Sequence, residues 1–309
     1  MGVLYWLESI RNPVLDAIML FITRFGEETV FLLIALTVFW CASKREGYYL
    51  LFVGFFGTVL NQFLKLACRV PRPFVRDPQF SAVEAAKNGA GGYSFPSGHT
   101  QSVAGTLGGI ARWHKNARFR VACICLLLLT AFSRMYLGVH TPQDVLVSLC
   151  IASVLIFALY PLINRAANKP ARMYLLLGVM CAISFAFVCY ANFSSFPANI
   201  DAANLEEAQK NSYSLFGALL GFVLGYSIEH RYIRFEEKAV WWVQILKVVG
   251  GLALLLLCKE GLKLLFSAVG WTWVGTSALR YFATVLAAAC VWPLTFPRLN
   301  ALSGKRETA

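Results

Sequence analysis

Charge is what this chain of 309 residues has least of. Asp, Glu, Lys and Arg make up 14%, against 58% hydrophobic residues and a mean hydropathy of +0.60. Soluble domains carry roughly a quarter charged residues, so the shortage excludes an ordinary cytoplasmic globular enzyme. Acidic residues are scarcer still, 16 against 28 basic, for a formal net charge of +12. That excess would suit a nucleic-acid partner only if Lys and Arg clustered on one exposed face, and here they are scattered between apolar blocks. The nine cysteines (Cys41, Cys68, Cys123, Cys125, Cys150, Cys181, Cys189, Cys258, Cys290) lack both the density of a disulfide scaffold and the spacing of zinc ligands. Most are expected to be small buried hydrophobes. The start of the chain lacks the basic residues and unbroken apolar run of a cleaved signal peptide, since Glu8 and Asp16 interrupt it. There is no fixed-period repeat and no low-complexity segment.

What the sequence does have is long apolar runs. A membrane span needs ~20 mostly apolar residues, with ~17 tolerated. Nine stretches qualify: 27–43, 47–67, 97–112, 120–138, 143–163, 173–191, 213–229, 240–258 and 279–296. Residues 3–24, broken by Glu8, Arg11, Asn12, Pro13 and Asp16, fit an interfacial amphipathic helix better than a tenth span. The expected fold is all-α, a polytopic membrane helix bundle. An interfacial helix over 1–26 precedes a core over 27–168, and residues 169–309 complete a six-helix core and add about three spans.

Alternating spans sort the loops into two sets. One is basic throughout: Lys44 and Arg45; Arg112, Lys115, Arg118 and Arg120; Arg165, Lys169 and Arg172; Arg231, Arg234 and Lys238; and the tail Arg298, Lys305 and Arg306. The other includes 190–212, with Asp201, Glu206 and Glu207 against a lone Lys210. The positive-inside rule therefore places the first set and the C-terminus in the cytoplasm. The N-terminal helix, the 68–96 loop, the 138–142 turn and the 190–212 loop then face outward. Lys65, Arg69, Arg72, Arg76, Lys87 and Arg134 are basic residues on the outer side, and they need another explanation.

Three clusters supply one. Lys65-Leu-Ala-Cys-Arg-Val-Pro-Arg72-Pro73 lies where the second span leaves the membrane. A snorkelling basic end is the plain alternative, but Pro71 and Pro73 stop the helix and hold Arg72 at a defined angle. Tyr93-Ser-Phe-Pro96-Ser97-Gly98-His99-Thr100 opens the third span. Ser97 has the form of an N-cap. A helix start also offers unpaired N–H groups to phosphate, Gly98 allows close approach, and His99 in the first turn can donate a proton to a leaving oxygen. Ser133-Arg134-Met-Tyr-Leu-Gly-Val-His140-Thr-Pro142-Gln-Asp144 bridges the end of the fourth span and the start of the fifth. An intramembrane Asp is costly and normally has a partner. Asp144 lies four residues after His140, so the two can meet on one face, fix the imidazole tautomer and leave its other nitrogen nucleophilic. All three clusters fall on one side of the membrane. Three cations, a helix start and two histidines together describe a phosphate pocket.

These residues resemble the type 2 phosphatidic acid phosphatase (PAP2) superfamily of lipid phosphatases, vanadium haloperoxidases and glucose-6-phosphatases. The family pattern is Lys, six residues, Arg-Pro; Pro-Ser-Gly-His; and Ser-Arg, five residues, His, three residues, Asp. It appears here as Lys65/Arg72/Pro73, Pro96/Ser97/Gly98/His99 and Ser133/Arg134/His140/Asp144. The resemblance covers about residues 10–165. It implies a two-step hydrolysis of a lipid phosphate or pyrophosphate, needing no metal and no cofactor. His140 is then the nucleophile, Asp144 its orienting partner and His99 the acid and later the base. Lys65, Arg72, Ser97, Gly98 and Arg134 hold the phosphate. The sequence also shows no carboxylate cluster suited to Mg2+.

Substrate choices left open are phosphatidic acid, polyprenyl diphosphate, phosphatidylglycerol phosphate and a sphingoid base phosphate. A rival reading keeps the chemistry on a soluble phosphate ester, as in the glucose-6-phosphatase branch, or passes phosphate to an acceptor. An anion or lipid transporter is the reading from a different class. It predicts matching polar features in two related halves, whereas the polar machinery here precedes residue 145. The partner is thus a lipid-phosphate substrate within the bilayer (the plasma membrane if bacterial), reached from the extracytoplasmic side, with no nucleic acid. The long 74–95 loop is expected to frame the lipid entrance with the N-terminal helix. Arg69 and Arg76 read as interfacial anchors, Glu229-His230 as a charged helix cap and Lys259, Glu260 and Lys263 as a local ion pair. Phe266, Trp271 and Trp273 read as an aromatic belt, and Asn192-Phe-Ser194 has the form of a glycosylation sequon. Residues 170–309 shape the lipid groove, form a homo-oligomer interface or carry a second function; the sequence leaves the three open.

Overall fold

The computed structural model describes residues 1–167 and 169–302. Lys305 and Arg306, counted above with the basic tail, lie outside the described residues. Those described form helices and no strand: α1 Gly2–Ser9, α2 Pro13–Thr23, α3 Glu28–Thr37, α4 Lys44–Cys68, α5 Pro73–Arg76, α6 Glu84–Lys87, α7 Gly98–Val103, α8 Gly109–Trp113, α9 Ala117–Tyr136, α10 Pro142–Ala166, α11 Pro170–Phe193, α12 Ala202–Ile228, α13 Trp241–Ala268, α14 Thr276–Leu286 and α15 Phe296–Ala301.

Seven helical segments among the described residues are long and apolar enough to cross a bilayer: Lys44–Arg76, Ala117–Tyr136, Pro142–Ala166, Pro170–Phe193, Ala202–Ile233, Trp241–Ala268 and Thr276–Ala301. They match seven of the nine expected spans. The other two differ. The expected 97–112 span is α7, a π-helical turn Ala104–Gly108 and α8 in succession, about 16 residues together. At 1.5 Å per residue that is roughly 24 Å, short of a ~30 Å hydrocarbon core. Most of it is buried within its unit, so its length is set by neighbouring helices rather than by lipid. The expected 27–43 span is joined to what precedes it: Pro13–Gly26 and Glu28–Ala42 pass the same test only as a pair, bent by 49°. With that pair the number of spans rises to eight, and the bend falls where Glu27 and Glu28 interrupt the apolar run.

The chain divides into two compact units. The first comprises Met1–Ile34, Tyr49–Asn164 and Ser195–Ala208. Asn12 caps α2, its side chain accepting from the Leu15 N–H at 3.0 Å, and Pro13 occupies the first helical position. The helix lies along α9. Arg11 donates to the Tyr136 carbonyl at 2.9 Å, and the Tyr136 hydroxyl donates to Asp16 at 2.8 Å. Leu4 and Leu7 of α1 close over Phe80, Ala82, Ala86, Tyr136, Leu137 and Val139, so the 74–95 loop packs on the N-terminal helix and the 137–139 turn as one apolar cluster. The opposite face of α2 carries Val14, Ile18 and Phe21, all exposed at helical spacing.

The second unit comprises Ala35–Tyr48, Arg165–Ser194 and Gln209–Ala309. Its tightest contact is a small-residue stripe on α12. A Cβ at Gly217 would stand 2.1 Å from the Ala278 carbonyl, at Gly221 2.7 Å from the Phe282 carbonyl and at Gly225 2.7 Å from the Ala289 Cβ. Glycines four apart let two backbones approach without side chains between them, which is how apolar helices associate where burial in lipid supplies no driving force. Gly221→Leu is therefore expected to destabilise this unit by about 1–3 kcal/mol through overpacking. A melting temperature in detergent unchanged from wild type would count against that packing.

Glu229 is buried in the same unit. Lys44 Nζ stands 2.6 Å from its Oε1, and the Tyr48 hydroxyl donates to Oε2 at 3.1 Å. It is thus more than a solvated cap, because a buried carboxylate needs paired donors. Lys259, Glu260 and Lys263 form the expected exposed local pairs at 3.9 and 4.0 Å. The cysteines depart from expectation: all nine are free, but Cys123 and Cys290 alone are buried, while Cys68, Cys125 and Cys150 are exposed. On apolar helices an outward face is occupied by lipid, so a small hydrophobe gains nothing by turning inward. Val154, Phe157, Leu175, Phe185, Leu256 and Leu264 are exposed for the same reason. The chain is an integral membrane protein.

Candidate active site

All the residues singled out by the three sequence clusters fall in the first unit. Its cavity, about 180 Å³, is lined by Lys65, Arg72, Gly98, His99, Arg134 and His140, together with Gly26, Glu28, Gln62, Gly89, Gly91 and Glu207. Six of the eight predicted residues therefore meet in one space. The other two, Ser97 and Asp144, stand behind the wall.

Each cation arrives at the end of a helix. Lys65 is in the last turn of α4. Arg72 is the N-cap of α5, extended ahead of Pro73, and its guanidinium is held on several sides. Nη1 donates to the Val139 carbonyl at 3.1 Å, Nε to the Gly92 carbonyl at 3.2 Å and Nη2 to the Gly91 carbonyl at 2.5 Å. Arg134 is in the last turn of α9 and 3% exposed. Its Nη1 donates to Thr23 Oγ1 at 2.7 Å, while its buried Nε has no hydrogen-bond partner. A buried guanidinium N–H without an acceptor is costly, and an anion in the cavity is the natural remedy.

His99 lies in the first turn of α7, and the Ser97 side chain accepts from the Thr100 N–H at 3.4 Å and meets the Thr100 hydroxyl at 2.9 Å. Ser97 is fully buried, so in this arrangement its hydroxyl caps the helix. Gly26 sits against His99: a Cβ there would come 2.8 Å from both the His99 Cβ and carbonyl oxygen. Any larger residue would push the histidine aside.

His140 is buried in the turn between α9 and α10. Arg72 Nη1 is 3.1 Å from His140 Nε2. Because a guanidinium can only donate, Nε2 must accept, and the proton of the neutral ring must therefore lie on Nδ1. Nδ1 faces Asp144 Oδ2 at 3.4 Å and the Ser94 hydroxyl, also at 3.4 Å. Ser94 donates to the same Oδ2 at 2.6 Å, and the Thr141 N–H donates to it at 2.7 Å. The carboxylate is thus fixed from two directions before it meets the imidazole. Burial, followed by the nearby charges of Arg72, Arg134 and Lys65, holds the His140 pKa well below its ordinary value and favours the neutral ring, whose Nε2 carries the lone pair that Arg72 meets.

Four contributors were not among the sequence candidates. Ser94 stood within a segment already quoted, but nothing in its spacing showed that it would brace Asp144. Gln62, one helical turn before Lys65, and Glu28, at the start of α3, lie on the cavity wall. Glu207 comes from the second turn of α12, in the acidic 190–212 stretch that sequence alone marked only as an outward-facing loop.

Comparison with known proteins agrees with this geometry. The PAP2 superfamily profile matches residues 46–168, and that of the PAP2 superfamily phosphatase transmembrane extension matches residues 213–305. Undecaprenyl-diphosphatase BcrC of Bacillus subtilis (strain 168) is 33% identical over 154 residues, covering 49% of this chain and 77% of that protein. No solved structure matches the chain. With its three motif segments gathered around one cavity and these matches on either side of the 190–212 stretch, the chain belongs to the PAP2 superfamily and is an integral-membrane phosphatase.

Proposed function

We propose that the chain hydrolyses a lipid phosphate or diphosphate ester in two steps through a phosphohistidine at His140. The observation that carries this reading is Nε2 of His140, held at a wall of the three-cation cavity with its tautomer fixed by Arg72 at Nε2 and by Asp144 with Ser94 at Nδ1. Phosphate seated between Lys65, Arg72 and Arg134 displaces the Arg72–Nε2 contact and presents phosphorus to that nitrogen. The Nε2–P bond forms as the bond from phosphorus to the leaving oxygen breaks, and the leaving oxygen takes a proton from His99. The charge of the phosphate offsets the three cations and favours the protonated form of His99 that this step requires. Asp144 offsets the positive charge on the phosphorylated imidazole. In the second step His99, now neutral, takes a proton from water as the water oxygen attacks phosphorus and the P–Nε2 bond breaks. The cations offset charge that builds on the non-bridging oxygens in both transition states.

A lipid rather than a soluble ester is supported by α2. Its exposed stripe Val14, Ile18 and Phe21 runs along the helix whose end, Thr23, holds Arg134. An acyl or prenyl chain lying on that stripe would bring its phosphate to the cavity. The name of the Bacillus subtilis relative, an undecaprenyl-diphosphatase, supports the same class of substrate. An extracytoplasmic site is supported by the basic loops at 112–120 and 164–172, which would follow the positive-inside rule on the other side.

Phosphate release by the purified chain from phosphatidic acid, a prenyl diphosphate and glucose 6-phosphate tests the proposal. The lipid esters are expected to exceed glucose 6-phosphate in kcat/KM, and EDTA is expected to leave the rates unchanged. Activity lost to EDTA and restored by Mg2+ would refute the two-histidine chemistry. A preference for glucose 6-phosphate would move the substrate to the soluble class.

A further inference from the structure

Glu207 is a cavity residue that the three motif segments do not supply. It lies between the two matched regions, 46–168 and 213–305, and is carried to the cavity by the Ser195–Ala208 piece of the first unit. That piece is fastened at several points. The Arg69 guanidinium stands 5.9 Å from the centre of the Phe196 ring. Tyr93 meets Asp201 and Asn204. The Glu207 carboxylate lies against the glycine pair of the loop, where a Cβ added at Gly91 or Gly92 would come 3.2 or 3.5 Å from Oε2. The carbonyls of those glycines are the ones that hold Arg72. Glu207 is therefore a single backbone layer from the guanidinium, and its negative charge acts on both Lys65 and Arg72.

The charge balance of the cavity follows. Lys65, Arg72 and Arg134 face Glu28 and Glu207, which leaves one net positive charge apart from the histidines. A phosphate monoester brings a charge of about −2, which the three cations can surround. A diphosphate ester adds at least one more negative charge for which the lining holds no fourth Lys or Arg. Glu207, exposed and on the cavity lining, is a carboxylate that such an extra charge would face instead.

We infer that Glu207 is a specificity-determining residue that makes this pocket select phosphate monoesters over diphosphate esters. The inference rests on the phosphatase reading above and narrows its substrate class. Because Glu207 is partly screened by water, its effect on a substrate charge is moderate, about five- to tenfold.

Farnesyl phosphate and farnesyl diphosphate carry the same alcohol on one or two phosphates, so comparing them as substrates of the full chain in mixed micelles isolates the charge. Wild type is expected to show kcat/KM about tenfold higher for the monophosphate. Glu207→Gln is expected to narrow that ratio by about fivefold, and Glu206→Gln, at the exposed neighbouring position, to leave it in place. A second measurement needs no variant: orthophosphate should inhibit the wild type at lower concentration than pyrophosphate does. A wild type that prefers the diphosphate, or is inhibited more strongly by pyrophosphate, overturns the inference, as does a folded Glu207→Gln with an unchanged ratio. Hydrolysis of neither substrate by the wild type would overturn the phosphatase reading, and the inference would fall with it.

Discussion

His140→Ala is expected to lower kcat by about 10⁴-fold or more, because in the proposed mechanism it removes the atom that bonds to phosphorus rather than a group that assists. The size of the loss follows from the surroundings. Nε2 is the acceptor that Arg72 approaches at 3.1 Å, and no second nucleophile among the lining residues shares its position: His99 sits on α7, against Gly26. Cations left in place would still bind phosphate, so the variant should keep wild-type binding of orthophosphate while turnover disappears. That separation distinguishes a lost nucleophile from a collapsed pocket. Brief incubation with ³²P-labelled substrate and quenching in base should trap an acid-labile phosphoenzyme in wild type and none in the variant. Multiple turnovers by a folded His140→Ala would remove His140 from the chemistry.

Arg72→Lys is expected to cost about 10²- to 10³-fold in kcat/KM even though the charge is kept. The guanidinium satisfies the Val139, Gly91 and Gly92 carbonyls in three directions and still reaches His140 Nε2. An ammonium is a point donor on a flexible stem and cannot span those carbonyls together. The loop that carries Gly91 and Gly92 would lose its anchor, and Nε2 would lose the donor that fixes its tautomer. Arg72→Lys should therefore lower kcat as well as raise KM. A change confined to KM and smaller than about threefold would show that Arg72 acts as a charge alone.

Much of this site was legible because its chemistry is written at helix ends. Lys65 and Arg72 bracket the end of α4, His99 opens α7, Arg134 closes α9 and Asp144 opens α10. Once the spans are counted, alternation alone brings those ends to one side of the membrane, and no long-range packing has to be known. The 97–112 stretch shows the limit of counting. Its hydropathy reads as one helical span, yet it folds as three short helical pieces in succession, because a run packed among other helices need not have the length that lipid alone would demand. Ser97 shows another. A serine before a helix has two uses, and only its contacts with Thr100 reveal that the hydroxyl serves the cap. The cysteines misled for a related reason: apolar residues need not be interior when the solvent is itself apolar.

By itself the sequence determined the membrane class, the helical fold, the gathering of three cations and two histidines, and the histidine that faces Asp144. These follow from composition, from run length and from residues close in the chain, where the period of a helix limits the geometry. Tertiary structure alone decided what completes the pocket. Ser94 braces Asp144 across a separation of 50 residues, Thr23 holds Arg134 across 111, and Glu207 reaches the cavity from beyond the region where the motif ends. Those contacts depend on which helices pack together and at what depth, and no local pattern encodes either. The scarcity of charge in the chain gives them their weight: in a bundle with so few ionisable residues, a carboxylate placed beside three cations sets which phosphate the pocket can hold.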